Sequence, residues 1–345
     1  MMPGEYIVYG ADPSYFTRKV EAALRYMRIP HAAKPKSPDV APRLEARSGT
    51  HLIPVVETPE GWVIHDSTYI IELLHARFPA HPVIPASPVQ HIACRLMDDW
   101  IDEWFTRAAL HLRWIDDEDA AICARKIAMD MGGGTHDRPL TAQEEESVAA
   151  TAAFIQPWGR KAMTVMGAGP EYQEGLRAEF ASFLRQCAAI LGKDGGLFGQ
   201  RLSMADLGLL GAMKAHFAAD DYARNFVTSA APAMLDWTDK VWERRDEGEG
   251  WLAGDALPDG MSGLFRLMAG GFVPYMIANR AALKAGEKSS WFTISSGQEV
   301  RMITRKPVED TRLATKAAID ALPETDRGHV GELLGDHGLL AAYED

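Results

Sequence analysis

Ser14 and the pair Asp66-Ser67 each stand directly before a stretch of helical periodicity. The apolar residues of the two stretches recur at helical spacing: Val20, Ala23, Leu24 and Met27 in the first, and Ile70, Ile71, Leu74 and Phe78 in the second. Ser and Asp are preferred helix caps, so a helix is predicted to begin at each position. The free amides and the dipole of a helix N-terminus favour negative charge, and a hydroxyl there adds a hydrogen-bond donor. The two positions can therefore bind anionic groups.

The segments around these caps predict an α/β unit. Residues 5–9 form a short β-rich run, and residues 35–42, with three prolines, predict a loop that contains at most a short helix. Residues 51–57 indicate a strand, although Pro54 stands at its centre, where a central strand normally excludes proline. A turn and renewed β character at residues 62–64 complete a hairpin. The order β, α, loop or helix, β, β, α predicts a mixed sheet.

Beyond residue 85 the pattern becomes helical. One apolar stripe steps by four residues and predicts a helix of about 25 residues: Ile92, Leu96, Trp100, Trp104, Ala108 and Leu112. Residues 174–191 predict a second helix, and Ser203-Met-Ala-Asp206 has the form of a capping box that begins a third. Residues 1–85 hold nine basic and nine acidic residues, and the other 27 basic and 39 acidic residues follow. A neutral α/β domain therefore precedes an acidic helical one.

The last part of the chain predicts a mixture of helices and strands. Residues 264–284 are compatible with a helix, and residues 290–294 and 298–304 with two strands. Residues 308–322 and 330–340 return to helical periodicity. We expect three units, which are an N-terminal domain at 1–82, an all-helical domain at 88–258 and a C-terminal α+β extension of unknown role at 259–345.

Composition excludes several classes of function. The net charge is 36 − 48 = −12, which argues against nucleic acid or an anionic membrane as the partner. The longest apolar run, residues 267–278, is interrupted by Gly270, Gly271 and Pro274, so we expect no membrane-spanning helix. The chain shows no secretory signal, and its three scattered cysteines fit neither a disulfide framework nor a zinc site. We expect a cytoplasmic protein without a bound metal.

Taken together, these motifs resemble the glutathione transferase superfamily, whose members join a thioredoxin-like N-terminal domain to an all-helical C-terminal domain. The segment that starts at Ser14 is similar to the start of the family's first helix in its serine and cysteine classes. Ile53-Pro54 resembles the family's cis-proline, and Asp66-Ser67 its acidic-Ser pair. Ser203-Met-Ala-Asp206 resembles its buried capping box. The resemblance spans roughly residues 5–245 and implies the glutathione transferase fold.

The resemblance also implies roles for these residues. Ser14 would donate a hydrogen bond to the sulfur of glutathione, whose thiol, like that of cysteine, titrates near about pH 8.5 and reacts as the thiolate. Ile53 and a cis Pro54 would present the backbone of Val55, which would pair with the peptide like an added strand. Asp66 and Ser67 would hold its γ-glutamyl end. Glutathione would then be a co-substrate rather than a permanently bound cofactor.

Several assignments have alternatives. Ser14, Asp66 and Ser67 are equally suited to helix capping alone. Tyr15 follows Ser14 where many relatives carry proline, and Tyr9 ends the first strand, so either hydroxyl is an alternative donor to the thiol. Relatives often carry Lys or Gln two residues before the cis-proline, where this chain has Leu52, so the contact with the glycyl carboxylate is open.

The second substrate is expected between the domains. Trp100 and Trp104 are predicted to line this pocket with acidic residues around them, which would suit an apolar or aromatic electrophile. Tryptophans at helical spacing are also typical of a core. The sequence leads us to expect a serine-type glutathione transferase that works as a homodimer. It does not choose among conjugation, dehalogenation and ether cleavage. The alternative is a non-catalytic binding or scaffold protein with the same fold.

Overall fold

The computed structural model describes residues 4–131, 138–192, 195–244 and 250–344. Its N-terminal part alternates strands and helices: β1 (Tyr6–Gly10), α1 (Tyr15–Tyr26), β2 (His31–Pro35), α2 (Ala41–Ser48), β3 (Val55–Glu57), β4 (Val63–His65) and α3 (Ser67–Arg77). The strands form one sheet in the order β2-β1-β3-β4. β1 is parallel to β2 and antiparallel to β3, and β3 is antiparallel to β4. This is the thioredoxin-like arrangement expected from the sequence.

Two strands differ from the sequence prediction. β2 is not predicted, because its sequence, His-Ala-Ala-Lys-Pro, carries no β-branched or aromatic side chain, and the predicted loop begins only at its last residue, Pro35. β2 is an edge strand, and its pairing with β1 holds it in the sheet. β3 begins only at Val55, after Pro54, so residues 51–54 lie outside the ladder.

A helical region follows: α4 (Pro88–Glu103), α5 (Thr106–Trp114), α6 (Asp117–Met131), α7 (Ala142–Val165), α8 (Gln173–Leu191), α9 (Met204–Ala212), α10 (Asp221–Ala230) and α11 (Ala233–Glu243). The single long helix predicted over residues 92–112 is broken at Trp104-Phe105 into α4 and α5. The apolar stripe continues across this break, so periodicity alone does not reveal it. A π-helical turn, Met213–Phe217, extends α9.

The predicted capping box begins α9. The Ser203 side chain accepts from the amide of Asp206, and the Asp206 carboxylate accepts from the amides of Ser203 and Leu197 at 2.7 and 2.8 Å. α9 crosses α1 closely at Gly211, where a Cβ atom would lie 2.4 Å from the backbone nitrogen of Lys19. The fully buried α9 therefore joins the two parts of the chain.

The C-terminal extension consists of α12 (Met261–Ala285), the hairpin β5 (Ser289–Thr293) and β6 (Glu299–Ile303), then α13 (Lys306–Asp320), α14 (Glu324–Asp336) and α15 (Leu340–Tyr343). α12 runs unbroken through Pro274 and, alone among the helices of the described residues, is long and apolar enough to cross a membrane. Half of its apolar window is buried in the protein, where it packs on α8, β5 and α13. α13 and α14 cover α4, and Thr315 donates to Asp99 over 2.8 Å.

Candidate functional site

The strand register brings the predicted site segments to one edge of the sheet. Tyr9, next to the end of β1, pairs with Val55 at the start of β3, and Val55 pairs with His65 at the end of β4. The loop to Ser14, the Ile53-Pro54 segment and Asp66-Ser67 therefore leave the sheet at the same edge. α1 and α3 both begin there, so two helix N-termini face this edge.

Ser14 is the N-cap of α1. It is half-buried, and its Oγ accepts from the amide of Thr17 at 3.3 Å. The first strand and this helix approach closely, because a Cβ atom on Gly10 would lie 2.4 Å from the Thr17 side chain. The cap uses Ser14 only as an acceptor, and no described residue accepts its hydroxyl proton. The hydroxyl can therefore still donate to a bound group.

The Ile53–Pro54 peptide bond is cis. Pro54 and Val55 are buried, Ile53 is half-buried, and the side chain of Leu52 is 63% exposed. Val55 lies inside the ladder with β1 on one side and β4 on the other, so it offers no strand edge to a peptide. The backbone that precedes the ladder is that of Ile53.

Lys36 supports the segment before the cis peptide bond. It follows β2 directly, and its Nζ lies 2.8 Å from the carbonyl oxygen of His51, 3.4 Å from that of Leu52 and 3.5 Å from that of Thr50. Glu45 completes its surroundings at 3.0 Å. The sequence does not reveal this role of Lys36, because its partners are backbone carbonyl groups 14 to 16 residues away, which carry no side-chain signal.

Asp66 caps α3 and has a strained backbone. Its carboxylate accepts from the amides of Thr68 at 3.1 Å and Tyr69 at 3.3 Å. Its φ of +72° is unusual for a residue with a side chain and costs about 1–3 kcal/mol. Such strain is typical of functional sites. Ser67, the first residue of α3, is buried beside it.

The alternative tyrosines point elsewhere. Tyr15 is 4% exposed, and its hydroxyl donates to the carbonyl of Ile101 on α4 at 2.8 Å. Burial raises its pKa well above the usual value. Tyr9 packs with Leu44 of α2 on the other face of the sheet and hydrogen-bonds Glu57. Burial, and then the charge of Glu57, raise the pKa of Tyr9. Neither hydroxyl is free to act on a thiol at this edge.

Trp100 and Trp104 are core residues. The Trp100 ring packs edge-on against Phe183 at 5.1 Å between ring centroids. Trp104 lies against Tyr275 and Phe292 of the C-terminal extension, and its indole N–H donates to Glu179 at 2.8 Å. Both side chains are almost fully buried. The extension thus covers Trp104, Phe183 of α8 covers Trp100, and neither side chain is open to a second substrate.

A buried ion cluster lies behind the site, between the two parts of the chain. The Nζ of Lys19 on α1 lies 2.7 Å from Asp98 and 2.6 Å from Asp102 on α4, and 3.1 Å from the hydroxyl of Thr68 on α3. Burial raises the pKa of Asp102 to about 8, although Lys19 opposes the shift. Burial also raises the pKa of Asp98. One lysine faces two carboxylates, so near neutral pH the pair of carboxylates retains a proton.

A shallow pocket adjoins the loop between β1 and α1. Most of its lining is short or charged: Val8, Gly10, Ala11, Asp12, Thr17, Glu21, Ala33, Lys34, Pro35 and Asp130. The amide of Asp12 donates to Asp130 at 3.0 Å, so α6 reaches over the loop that leads to Ser14. This pocket contains no aromatic side chain. Within the described ranges, no cluster of three His, Cys, Asp or Glu residues has the arrangement of a metal site.

The fold and the edge site are those of a thioredoxin-like domain joined to a helical domain. Residues 8–82 match the family described as glutathione S-transferase, N-terminal domain. The chain therefore carries such a domain, and the resemblance to the glutathione transferase superfamily is confirmed. The predicted fold class is confirmed as well, with an additional two-stranded sheet in the C-terminal extension.

Several solved structures are similar to this chain. The beta-etherase LigF from Sphingobium sp. shares 18% identity over 71% of this chain and 96% of its own, with a TM-score of 0.48. A glutathione S-transferase from Ceriporiopsis subvermispora, in complex with glutathione, shares 17% over 70% and 99%, with a TM-score of 0.47. One from Rhodospirillum rubrum shares 17% over 74% and 97%, with a TM-score of 0.45. No curated protein sequence matches this chain significantly.

Proposed function

We propose that the protein is a glutathione transferase in which Ser14 stabilises the thiolate of bound glutathione for attack on an electrophilic carbon. One observation carries the proposal. Within the matched residues 8–82, Ser14, the Ile53-Pro54 segment and Asp66-Ser67 leave the sheet at a single edge, where two helices begin. A thiol peptide with two carboxylates fits an edge with two positive helix ends.

Ser14 and α1 favour the thiolate for the same electrostatic reason. The hydroxyl donates to sulfur, and the dipole of α1 adds positive potential at the same place. Lowering the thiol pKa by one unit corresponds to about 1.4 kcal/mol, which a charge-assisted hydrogen bond supplies. In the reaction the sulfur forms a bond to carbon, and the leaving group departs with the electron pair of the bond that breaks.

The peptide is held by backbone and hydroxyl groups. Ser67 and the N-terminus of α3 receive the γ-glutamyl carboxylate. The pairing with the cysteinyl backbone, expected at Val55, is assigned to Ile53, because Val55 lies inside the sheet. Lys36 fixes residues 50–52 and so the position of Ile53.

The electrophile is proposed to enter beside residues 10–12, since Trp100 and Trp104 are buried. The lining of that pocket includes Asp12, Glu21 and Asp130 against Lys34, which disfavours an anionic electrophile. The same attack serves conjugation, dehalogenation and ether cleavage, and the proposal covers all three. We propose that the enzyme is cytoplasmic, homodimeric and independent of a metal.

Calorimetric titration with reduced glutathione tests the proposal. We expect one saturable site per chain in the micromolar to millimolar range, with competition by S-methylglutathione. Ser67→Ala is expected to weaken binding about tenfold, the loss of one hydrogen bond to a charged group. Tyr9→Phe, on the opposite face of the sheet, is the control and should bind like wild type. No heat and no competition would favour the non-catalytic scaffold instead.

A further inference from the structure

α7 carries an apolar face on the side away from the protein. Its buried face, formed by Val148, Ile155, Gly159 and Met163, packs on α5 and α6. The outer face of such a helix is normally polar. Here the exposed residues include eight apolar ones: Ala142, Ala149, Ala150, Ala153, Phe154, Pro157, Trp158 and Val165. At 71% and 57%, the exposure of Phe154 and Trp158 is high for large apolar side chains.

Charged residues stand at the two ends of this face. Glu146 is exposed in the first part of α7 and Lys161 in the last part, and neither forms an ion pair with another residue of the described ranges. A parallel copy of α7 would place like charges opposite each other. An antiparallel copy places each Glu146 near Lys161 of the other copy, so the face is electrostatically complementary to itself.

Side-chain sizes complement one another in the same arrangement. The midpoint of α7 falls between Ala153 and Phe154. With a twofold axis there, Ala150 near the centre of the face meets Pro157 of the second copy, and the two Phe154 rings lie side by side. The two Ala153 residues also approach each other, and the small side chains of the face allow the helices to come close. Trp158 then covers the alanine surface of the other helix.

We propose that a second copy of this chain docks on the outer face of α7 in an antiparallel arrangement about a twofold axis near Ala153 and Phe154. This surface lies outside residues 8–82, which carry the family match, and gives the proposed homodimer an interface of this chain's own. The proposed surface can be tested independently of glutathione binding, because the measurements below are made without glutathione. A monomer that binds glutathione would overturn this surface and the proposed homodimeric state but leave the proposed chemistry standing, whereas an α7 dimer that binds none would overturn only that chemistry.

Sedimentation equilibrium of the full chain tests the surface. Wild type is expected to dimerise, and Trp158→Glu to raise the dimer Kd at least about tenfold, because a charge replaces the aromatic side chain that covers the other helix. Trp62→Glu is the matched control, since Trp62 is 61% exposed in the turn between β3 and β4 and should leave the dimer intact. Glu146→Lys should weaken the dimer, and the swap Glu146→Lys with Lys161→Glu should restore it. A monomeric wild type, or a dimer unaffected by Trp158→Glu, would overturn the proposal.

Cysteine cross-linking tests the orientation. The three native cysteines are buried and free, so they do not compete. In the antiparallel arrangement, Ala153→Cys places two cysteines within about 2 Å of each other along the helix axis, and a disulfide forms on oxidation. Ala149→Cys on the same exposed face separates them by about 13 Å, so no disulfide forms. Cross-linking at residue 149 but not at 153 would contradict the arrangement.

Discussion

The hydroxyl of Tyr15 donates a 2.8 Å hydrogen bond to the carbonyl oxygen of Ile101, which ties the first residue of α1 to the last turn of α4. This carbonyl belongs to a helix end, where the intrahelical partner is missing. The amide of Phe105, which would complete the helix, bonds to Trp100 instead at 3.4 Å. Tyr15 follows Ser14 directly, but the Ser14 side chain is held by its own bond to the amide of Thr17.

Tyr15→Phe should therefore lower stability rather than chemistry. The buried carbonyl of Ile101 loses its partner, and the free energy of unfolding should fall by about 1–2 kcal/mol. Urea denaturation measures the loss, and turnover of glutathione with a generic electrophile should stay within about threefold of wild type. A collapse of turnover at unchanged stability would make Tyr15 the donor to the thiol.

Ser14 substitutions separate the helix cap from the chemistry. Ser14→Ala should reduce turnover about 10- to 100-fold, because the thiolate loses one hydrogen bond to its charged sulfur. Ser14→Thr keeps the hydroxyl and should retain most of the activity. Ser14→Asp still caps α1 but repels a thiolate, so it should be stable and inactive. Turnover and the pH dependence of the ultraviolet absorbance of the bound thiolate would be measured together. An active Ser14→Asp enzyme would reduce Ser14 to a cap.

The Lys19 cluster predicts a pH-dependent stability. The carboxyl of Asp102 has a pKa of about 8 in the folded protein against 3.8 ordinarily. The folded state therefore holds a proton that the unfolded state releases, and this contribution to stability is lost as the pH rises from about 4 through 8. Lys19, whose pKa is raised, contributes no slope in this range.

Asp102→Asn should flatten that dependence. Its unfolding free energy should fall less between pH 6 and 9 than that of wild type, by at most about 1.4 kcal/mol per pH unit. Asp206, with a pKa of about 6, leaves a slope in both proteins below that pH. Urea unfolding at pH 5, 7 and 9 makes the comparison. If the unfolding free energies of wild type and Asp102→Asn changed equally with pH above pH 6, Asp102 would be ionised at neutral pH.

The crossing of α1 and α9 predicts a sharp difference between two glycines. Gly211→Ala would place its Cβ 2.4 Å from the backbone nitrogen of Lys19, so the helices must separate. We expect a loss of at least about 3 kcal/mol, or failure to fold. Gly331→Ala on α14 meets nothing within 4 Å and should add about 0.5–1 kcal/mol. Thermal unfolding of both variants tests this, and a tolerated Gly211→Ala would contradict the close crossing.

Local signals in the sequence predicted most of the fold. Caps and periodicity located α1, α3, α8 and α9, and the hairpin of β5 and β6 was expected close to its observed bounds. β2 escaped prediction because a tertiary partner, rather than its own residues, makes it a strand. The break between α4 and α5 escaped because the apolar stripe runs through it.

The candidate site was predictable where the same residue marks a local structure, such as a helix cap, and also supplies the groups that bind a ligand. Ser14 and Asp66 do so because a cap and an anion site use the same groups. Trp100 and Trp104 do not, because the residues that bury them are distant in the chain: Phe183 packs on Trp100, and the C-terminal extension packs on Trp104. Lys36 and Lys19 act through partners that only the folded chain brings near.

The packing of α13 and α14 on α4 also has a consequence for folding during synthesis, because this contact forms only after both helices have been made. Thr315 and Asp99, which hydrogen-bond across this contact, are 216 residues apart. At ribosomal rates of about 5–20 residues per second, synthesis of Thr315 follows that of Asp99 by about 10–40 s. The nascent chain thus exposes the packing surface of α4 throughout that interval. Closure of this face of α4 therefore follows the synthesis of all the residues between Asp99 and Thr315.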